Sequence, residues 1–170
     1  STVLWLLVIT WKCLRQIVLN INLQKQIRRQ TVFDDPGHLK QKAAQVVGLR
    51  ADRIQVVAAD FVQSPVSYGM VKKTVLLPHD YATRYTSSEL YLLLLHEMGH
   101  IKNNDTVKIQ LLSIAECFIL VLRPMLKGFI RDSELLCDNR VLGMLQDSRD
   151  TYGELLIRAC SEKTLVKGLG

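Results

Sequence analysis

An apolar run, Val3-Leu4-Trp5-Leu6-Leu7-Val8-Ile9, opens the chain and continues through Trp11, Leu14, Ile17 and Val18, broken by Lys12 and Arg15. It predicts a long first helix over about residues 3–30, whose apolar part is too short and too charged to be a full membrane span by itself. Trp5 and Trp11 give it the character of the inner end of a span, where indole rings settle at the interface. An Asp34-Asp35-Pro36-Gly37 turn follows, then a short helix over about 38–47 that Gly48 closes. The Val/Ile-rich alternation from Arg53 to Ala58 predicts a strand. Further strands are expected near 66–70 and 73–77, the three together making a small antiparallel sheet.

Polar Thr86-Ser87-Ser88-Glu89 has the form of a capping box at a helix start, with Thr86 capping and Glu89 reaching back. Leu90 to Leu95 are apolar on every side, so the helix they begin is a buried one. A second apolar stretch, about 106–126, holds Leu111-Leu112, Ile114 and Phe118 to Leu122. It also carries Lys108, Gln110 and Glu116, which fits a buried or interfacial helix almost as well as a crossing one. A helix around Glu134 and a last one over about 151–161 complete a mainly helical α+β chain. There is no repeat, low-complexity tract or Gly/Ser linker. The expected organisation is a membrane-end helix with a basic extension over 1–30 and one folded domain over 31–170.

One pentapeptide, His96-Glu97-Met98-Gly99-His100, stands inside the buried helix. Histidines four apart lie one turn apart on one helical face, where both can hold the same Zn²⁺. The glutamate between them points beside the ion and can take a proton from water. Two imidazoles and a carboxylate in such a helix are costly unless something satisfies them, and a metal would. The plainer alternative is a chance H-E-x-x-H whose histidines only hydrogen-bond.

A catalytic zinc site needs a third protein ligand and an open position. The extended pattern H-E-x-x-H-x-x-G-x-x-H fails, because Asn103 and Thr106 stand where it needs Gly and His. His38 and His79 lie in turn-like sequence upstream, which leaves a carboxylate. Glu134, Asp138, Val141, Leu142 and Leu145 share one helical face, and the apolar members mark it as the buried one. Glu134 is therefore the candidate ligand. Asp138, one turn on, is the candidate acceptor for the second ring N–H of a zinc histidine. The competing reading is a solvated acid pair partnered by Arg131 and Arg140.

Charge sharpens the picture at the N-terminal end. Residues 1–53 hold nine Lys/Arg against three Asp/Glu, which accounts for the whole net charge of +6, since the remainder has 13 of each. Lys25, Arg28 and Arg29 directly after the apolar run follow the positive-inside rule and place what comes next in the cytoplasm. No helix-turn-helix, finger or RNA-binding signature accompanies the basic residues, so no direct nucleic-acid partner is expected. Cys13, Cys117, Cys137 and Cys160 are scattered without a C-x-x-C and are expected as reduced core thiols. The chain opens within its apolar run on Ser1 and reads as a piece of a longer polypeptide.

Taken in order, the motifs resemble the membrane-embedded gluzincin metallopeptidases of the BlaR/MecR type, the β-lactam sensor-transducers and their relatives. Ser64-Pro65-Val66-Ser67-Tyr68-Gly69 followed by Lys73-Thr74-Val75-Leu76-Leu77-Pro78 is similar to that family's SP…G…P-x-I-x-LP stretch. Ser88-Glu89-Leu90 leading through His96-Glu97-Met98-Gly99-His100 to Asn104-Asp105 is similar to its zinc helix. Glu134-Leu135-Leu136-Cys137-Asp138 with Val141-Leu142 resembles its E-x-x-x-D helix, and Tyr152-Gly153 an element further on. The likeness covers about residues 40–157. Lys72-Lys73 departs from a proline common in relatives, and Met98-Gly99 from a bulkier pair. Nothing resembles a penicillin-binding sensor domain, so the likeness implies the protease core and not β-lactam sensing by this chain.

The resemblance implies a gluzincin (zincin-like) core flanked by membrane-associated helices, one catalytic zinc, and a catalytic domain facing the cytoplasm of a multi-pass membrane protein. It implies a regulatory endopeptidase that cuts a cytoplasmic protein, a transcriptional repressor or itself. A stress-type membrane gluzincin that degrades misfolded proteins, and a zinc-binding signalling module without proteolysis, are the alternatives. The 73–77 strand, through Val75, is the expected edge along which a substrate peptide lies. Tyr152 and Arg140 are candidate donors to the oxyanion.

Overall fold

The first helix, α1 (Thr2–Ile27), runs unbroken through the apolar opening. A computed structural model describes residues 2–33, 35, 38–69, 72–115, 122–145 and 149–167 of the chain. At about 1.5 Å per residue α1 is longer than the roughly 30 Å hydrocarbon core of a bilayer. Val3, Leu4, Trp5, Leu6 and Leu7 are each more than half exposed. Val3–Ile27 is thus long and apolar enough to cross a membrane by length and composition, where the sequence pattern alone suggested only the inner end of a span. The polar tail of α1 does pack: Leu23 and Ile27 close on Val57 and Leu76 of the sheet.

The order after α1 is β1 (Thr31–Val32), α2 (Leu39–Val47), a single 3-10 turn, β2 (Ile54–Ala59), β3 (Val66–Tyr68) and β4 (Lys73–Pro78). The expected turn at Asp34-Asp35-Pro36-Gly37 lies mostly outside the described residues. Gly48 closes α2 as expected, in the left-handed region at φ 77°, with its N–H turned back to the Ala44 and Gln45 carbonyls.

The sheet differs from expectation. Its four strands run β1-β2-β4-β3, and β2 pairs with β4 in parallel, Val56 beside Val75 and Val57 beside Leu76. The β3–β4 and β1–β2 pairs are antiparallel, so the sheet is mixed rather than antiparallel. Alternation along a strand reports which side chains face inward; it carries no information on which neighbour a strand pairs with. Here both faces are covered. Ile54, Val56, Val75 and Leu77 point into the main core, and Val57 and Leu76 point toward α1. Burial on both sides suits the central, parallel position.

Four helices follow the short α3 (Tyr81–Arg84): α4 (Ser87–Asn103), α5 (Asp105–Ala115), α6 (Leu122–Met144) and α7 (Arg149–Lys167). Of the candidate span at 106–126, residues 106–115 belong to α5 and 122–126 to α6, and residues 116–121, Glu116 and Cys117 among them, lie outside the described residues. Thr86 caps α4 in the expected capping box: its hydroxyl accepts from the Glu89 N–H, and the Glu89 carboxylate accepts from the Thr86 N–H at 2.8 Å. Leu94, Leu95 and Met98 of α4 pack against Ala43 and Ala44 of α2 and the inner face of the sheet. That burial fixes which way the histidine face must look.

α6 lies against α4 at close quarters because Gly99 faces Cys137. A Cβ at position 99 would stand 2.7 Å from the Cys137 sulfur. The glycine that costs helix propensity thus makes room for the helix that carries Glu134. Gly99→Ala is expected to destabilise the fold by about 1–3 kcal/mol through overpacking. Adding Cys137→Ala should restore most of the loss. Thermal unfolding of the two variants checks this, and an unshifted midpoint for Gly99→Ala would refute the close packing.

Candidate active site

Three donor atoms converge at the contact of α4 and α6. One turn of helix brings His96 Nε2 and His100 Nε2 to 3.1 Å from each other. From α6, Glu134 Oε2 reaches within 3.4 Å of the first and 3.6 Å of the second. Two ligands held about 2.05 Å from one tetrahedral ion are about 3.3 Å apart, so these spacings fit a single Zn²⁺. The rings stand nearly at right angles, 77° between planes, so neither blocks the other's lone pair.

Each ring is held from behind by an acid and a hydroxyl. His96 Nδ1 lies 3.1 Å from Asp138 Oδ1 and 2.9 Å from the Tyr152 hydroxyl, which itself donates to Asp138 at 2.8 Å. His100 Nδ1 lies 2.9 Å from Asp105 Oδ2, to which Ser133 donates from α6 at 2.7 Å. A carboxylate on Nδ1 keeps the proton there and leaves Nε2 free to ligate. Asp105 and Ser133 are functional candidates that the sequence reading missed. Asp105 sits five residues beyond His100, past the left-handed Asn104 (φ 56°) that ends α4. Helical periodicity stops at that break and could not have pointed to it. Its only signal was its place at the end of the Asn104-Asp105 motif.

Electrostatics point the same way. Burial alone would lower both histidines, yet in His96 hydrogen bonding to Asp138, Cys137 and Glu134 outweighs it and holds the ring far above the ordinary histidine range. His100 is pushed up to about 11, by Cys137, Glu134 and Asp105 acting against the same burial. Glu134 is held well below the usual carboxylate range by His100 and His96. The acids gathered around the two rings therefore favour positive charge in this cluster. Protons answer poorly, because two N–H groups 3.1 Å apart would point at each other. One divalent cation would answer all three donors together.

Glu97 is 8 % exposed and lines the same cleft of about 230 Å³ as His96, His100 and Glu134. Ser64, Pro65, Val66 and Ser67 form its opposite wall. The cleft thus joins α4, α6 and β3.

Three expectations are corrected by this geometry. Val75 lies on β4, which is flanked by β2 and β3, and it is 0 % exposed. It has no free edge to offer; among the described residues the edge on that side is β3. The Tyr152 hydroxyl meets Nδ1 of His96, the side away from the converging donors, and the side chain is fully buried, so it does not face the cleft. Arg140 donates to Asn103 and borders a separate cavity with Val47 and Gly99, so it is not placed to meet an oxyanion. The competing partners of the acid pair are also engaged elsewhere: Arg131 lies beside Asp132 at 3.6 Å. Of the cysteines, Cys137 is buried and free, as expected, but its sulfur also lies within 4.8 Å of the ligating atoms of both histidines. It donates to the His96 carbonyl at 2.9 Å. Cys13 is free and half-buried.

Comparison with known proteins agrees with the chemistry of this cleft. The chain is 24% identical to the regulatory protein BlaR1 of Staphylococcus aureus over 167 residues, which cover 92% of this chain and 28% of that protein. It is 28% identical to the regulatory protein BlaR1 of Bacillus licheniformis over 112 residues, 64% of this chain and 18% of the relative. The methicillin resistance mecR1 protein of Staphylococcus epidermidis matches at 26% over 107 residues, 59% of this chain and 18% of its own length. The chain therefore spans between about a fifth and a little over a quarter of these relatives. The pattern of the BlaR1 peptidase M56 family runs through residues 2–167, nearly end to end. With both helices of the cleft inside that match, the chain belongs to the BlaR1 peptidase M56 family.

Proposed function

We propose that this chain is the zinc endopeptidase unit of a membrane-bound regulatory protein, with His96, His100 and Glu134 as metal ligands and Glu97 as general base. The observation that carries the reading is the convergence of two Nε2 atoms and one carboxylate oxygen at 3.1, 3.4 and 3.6 Å. Zinc bound there would supply a Lewis acid that polarises the scissile carbonyl and lowers the pKa of water to about 7. The chain's own residues do the rest. Glu97 takes the proton from the attacking water and hands it to the leaving amine. Asp138 and Asp105 keep the two imidazoles in the tautomer that presents Nε2. The free edge of β3, across the cleft from His96, offers main-chain groups to an extended peptide and can lay its carbonyl toward the histidines.

The exposed apolar length of α1 supports attachment to a membrane, and Lys25, Arg28 and Arg29 at its end support a cytoplasmic position for the domain that follows. The peptidase family and relatives named as regulatory proteins support a protein substrate in regulation, and a repressor or the protease itself is the substrate in this reading. Metal analysis of the purified chain by mass spectrometry tests the core of this reading. About one zinc per chain is expected, and protein purified without chelator that carries no divalent metal would sink it.

A further inference from the structure

Resting on the metal site just proposed, we infer that Asp105 and Ser133 are positioning residues for His100, and that they tie the metal site to the docking of α5. Asp105 is 4 % exposed and Ser133 6 %, a burial at which a carboxylate needs strong partners. It has three. His100 Nδ1 stands 2.9 Å from Oδ2, the Ser133 hydroxyl donates to the same oxygen at 2.7 Å, and Lys108 Nζ lies 3.5 Å from Oδ1.

The origin of these groups matters. His96 receives its acid from α6, the same helix that supplies Glu134. His100 receives its acid from the first residue of α5, across the left-handed break at Asn104. Ser133, one residue before Glu134, holds that acid from α6. The Asp105 carboxylate is therefore the joint at which α4, α5 and α6 meet, and through it α5 acts on a metal-facing ring. α5 packs on α6 and also touches α1. A displacement of α5 that withdrew Asp105 would free the His100 ring to turn and would weaken the grip of the site without touching any ligand.

Dissociation constants for Zn²⁺, measured by chelator competition on the full chain, test this. Loss of an outer partner of a zinc histidine costs about 10–100-fold in affinity, and Asp105→Ala is expected in that range. Ser133→Ala should weaken binding by a smaller factor, and should have no further effect once Asp105 is alanine, because the hydroxyl acts only through that carboxylate. Asp105→Asn keeps the shape and an acceptor, so it should recover part of the affinity and serves where the alanine variant does not fold. In ¹⁵N-resolved spectra of the zinc-loaded chain, the slowly exchanging Nδ1 proton of His100 should be present in wild type and shifted in Asp105→Asn. Equal zinc affinity in wild type, Asp105→Ala and Asp105→Asn, or fully additive losses for Asp105→Ala and Ser133→Ala, would overturn the inference while leaving the metal site intact. A wild-type chain that binds no zinc would overturn the metal site itself.

Discussion

Replacing Glu97 by glutamine is expected to leave zinc content unchanged and to slow peptide cleavage by about 10²–10⁴-fold, the range a positioned general base contributes. Glutamine has the same shape and can still orient a water, but its amide cannot accept the proton. Because Glu97 lies between the histidines on α4 and is not one of the converging donors, the metal should remain. The measurement pairs metal analysis with the rate at which zinc-loaded protein cuts itself or an unfolded acceptor. Cleavage by Glu97→Gln at the wild-type rate would remove Glu97 from the mechanism. Loss of zinc together with activity would show instead that Glu97 holds the ion.

Removing Glu134 should have the opposite pattern. Its carboxylate is the only one of the three donors that comes from outside α4, and it is more than half exposed toward the cleft. Glu134→Ala leaves two imidazoles from a single helix, too few for a catalytic zinc site. Zinc affinity should fall by more than the about 10–100-fold that an outer partner costs. Activity should vanish with it. The fold should survive, because Glu134 contributes nothing to the apolar core and its loss relieves no buried charge. Circular dichroism would check the fold, and chelator competition the affinity. Should zinc bind Glu134→Ala as tightly as wild type, the third donor is another group, and the Cys137 sulfur, within 4.8 Å of the ligating atoms of both histidines, is a candidate.

Much of this cleft was legible in the sequence because helices obey a fixed period. His96 and His100 had to share a face, and Glu134, Asp138, Val141 and Leu145 had to share another, whatever the rest of the chain did. Thr86 and Glu89 marked the start of α4 by local hydrogen-bonding chemistry alone, and Gly48 the end of α2 by its freedom at positive φ. Each of these facts lies within a few residues of chain.

The errors came where distant segments meet. Val75 was taken for an edge because a strand's own pattern does not name its neighbours. β4 in fact runs parallel to β2 and gives the edge to β3. Tyr152 and Arg140 are donor-bearing side chains whose direction the local sequence does not give; one supports His96 from behind and the other faces Asn103. Gly99 read as a weakness in a helix and is the contact that admits Cys137.

What the amino-acid order determined alone is the inventory of chemistry: a pair of imidazoles one turn apart, a base between them, an acid pair on another helix, and an apolar, basic-flanked leading helix. Tertiary structure alone decided which acid supports which ring, which strand borders the cleft, and that Asp105 belongs to the site at all. The physical reason is range. Backbone geometry carries side-chain direction reliably over one or two helical turns, whereas the meeting of α4, α5 and α6 at one carboxylate depends on how whole apolar faces pack.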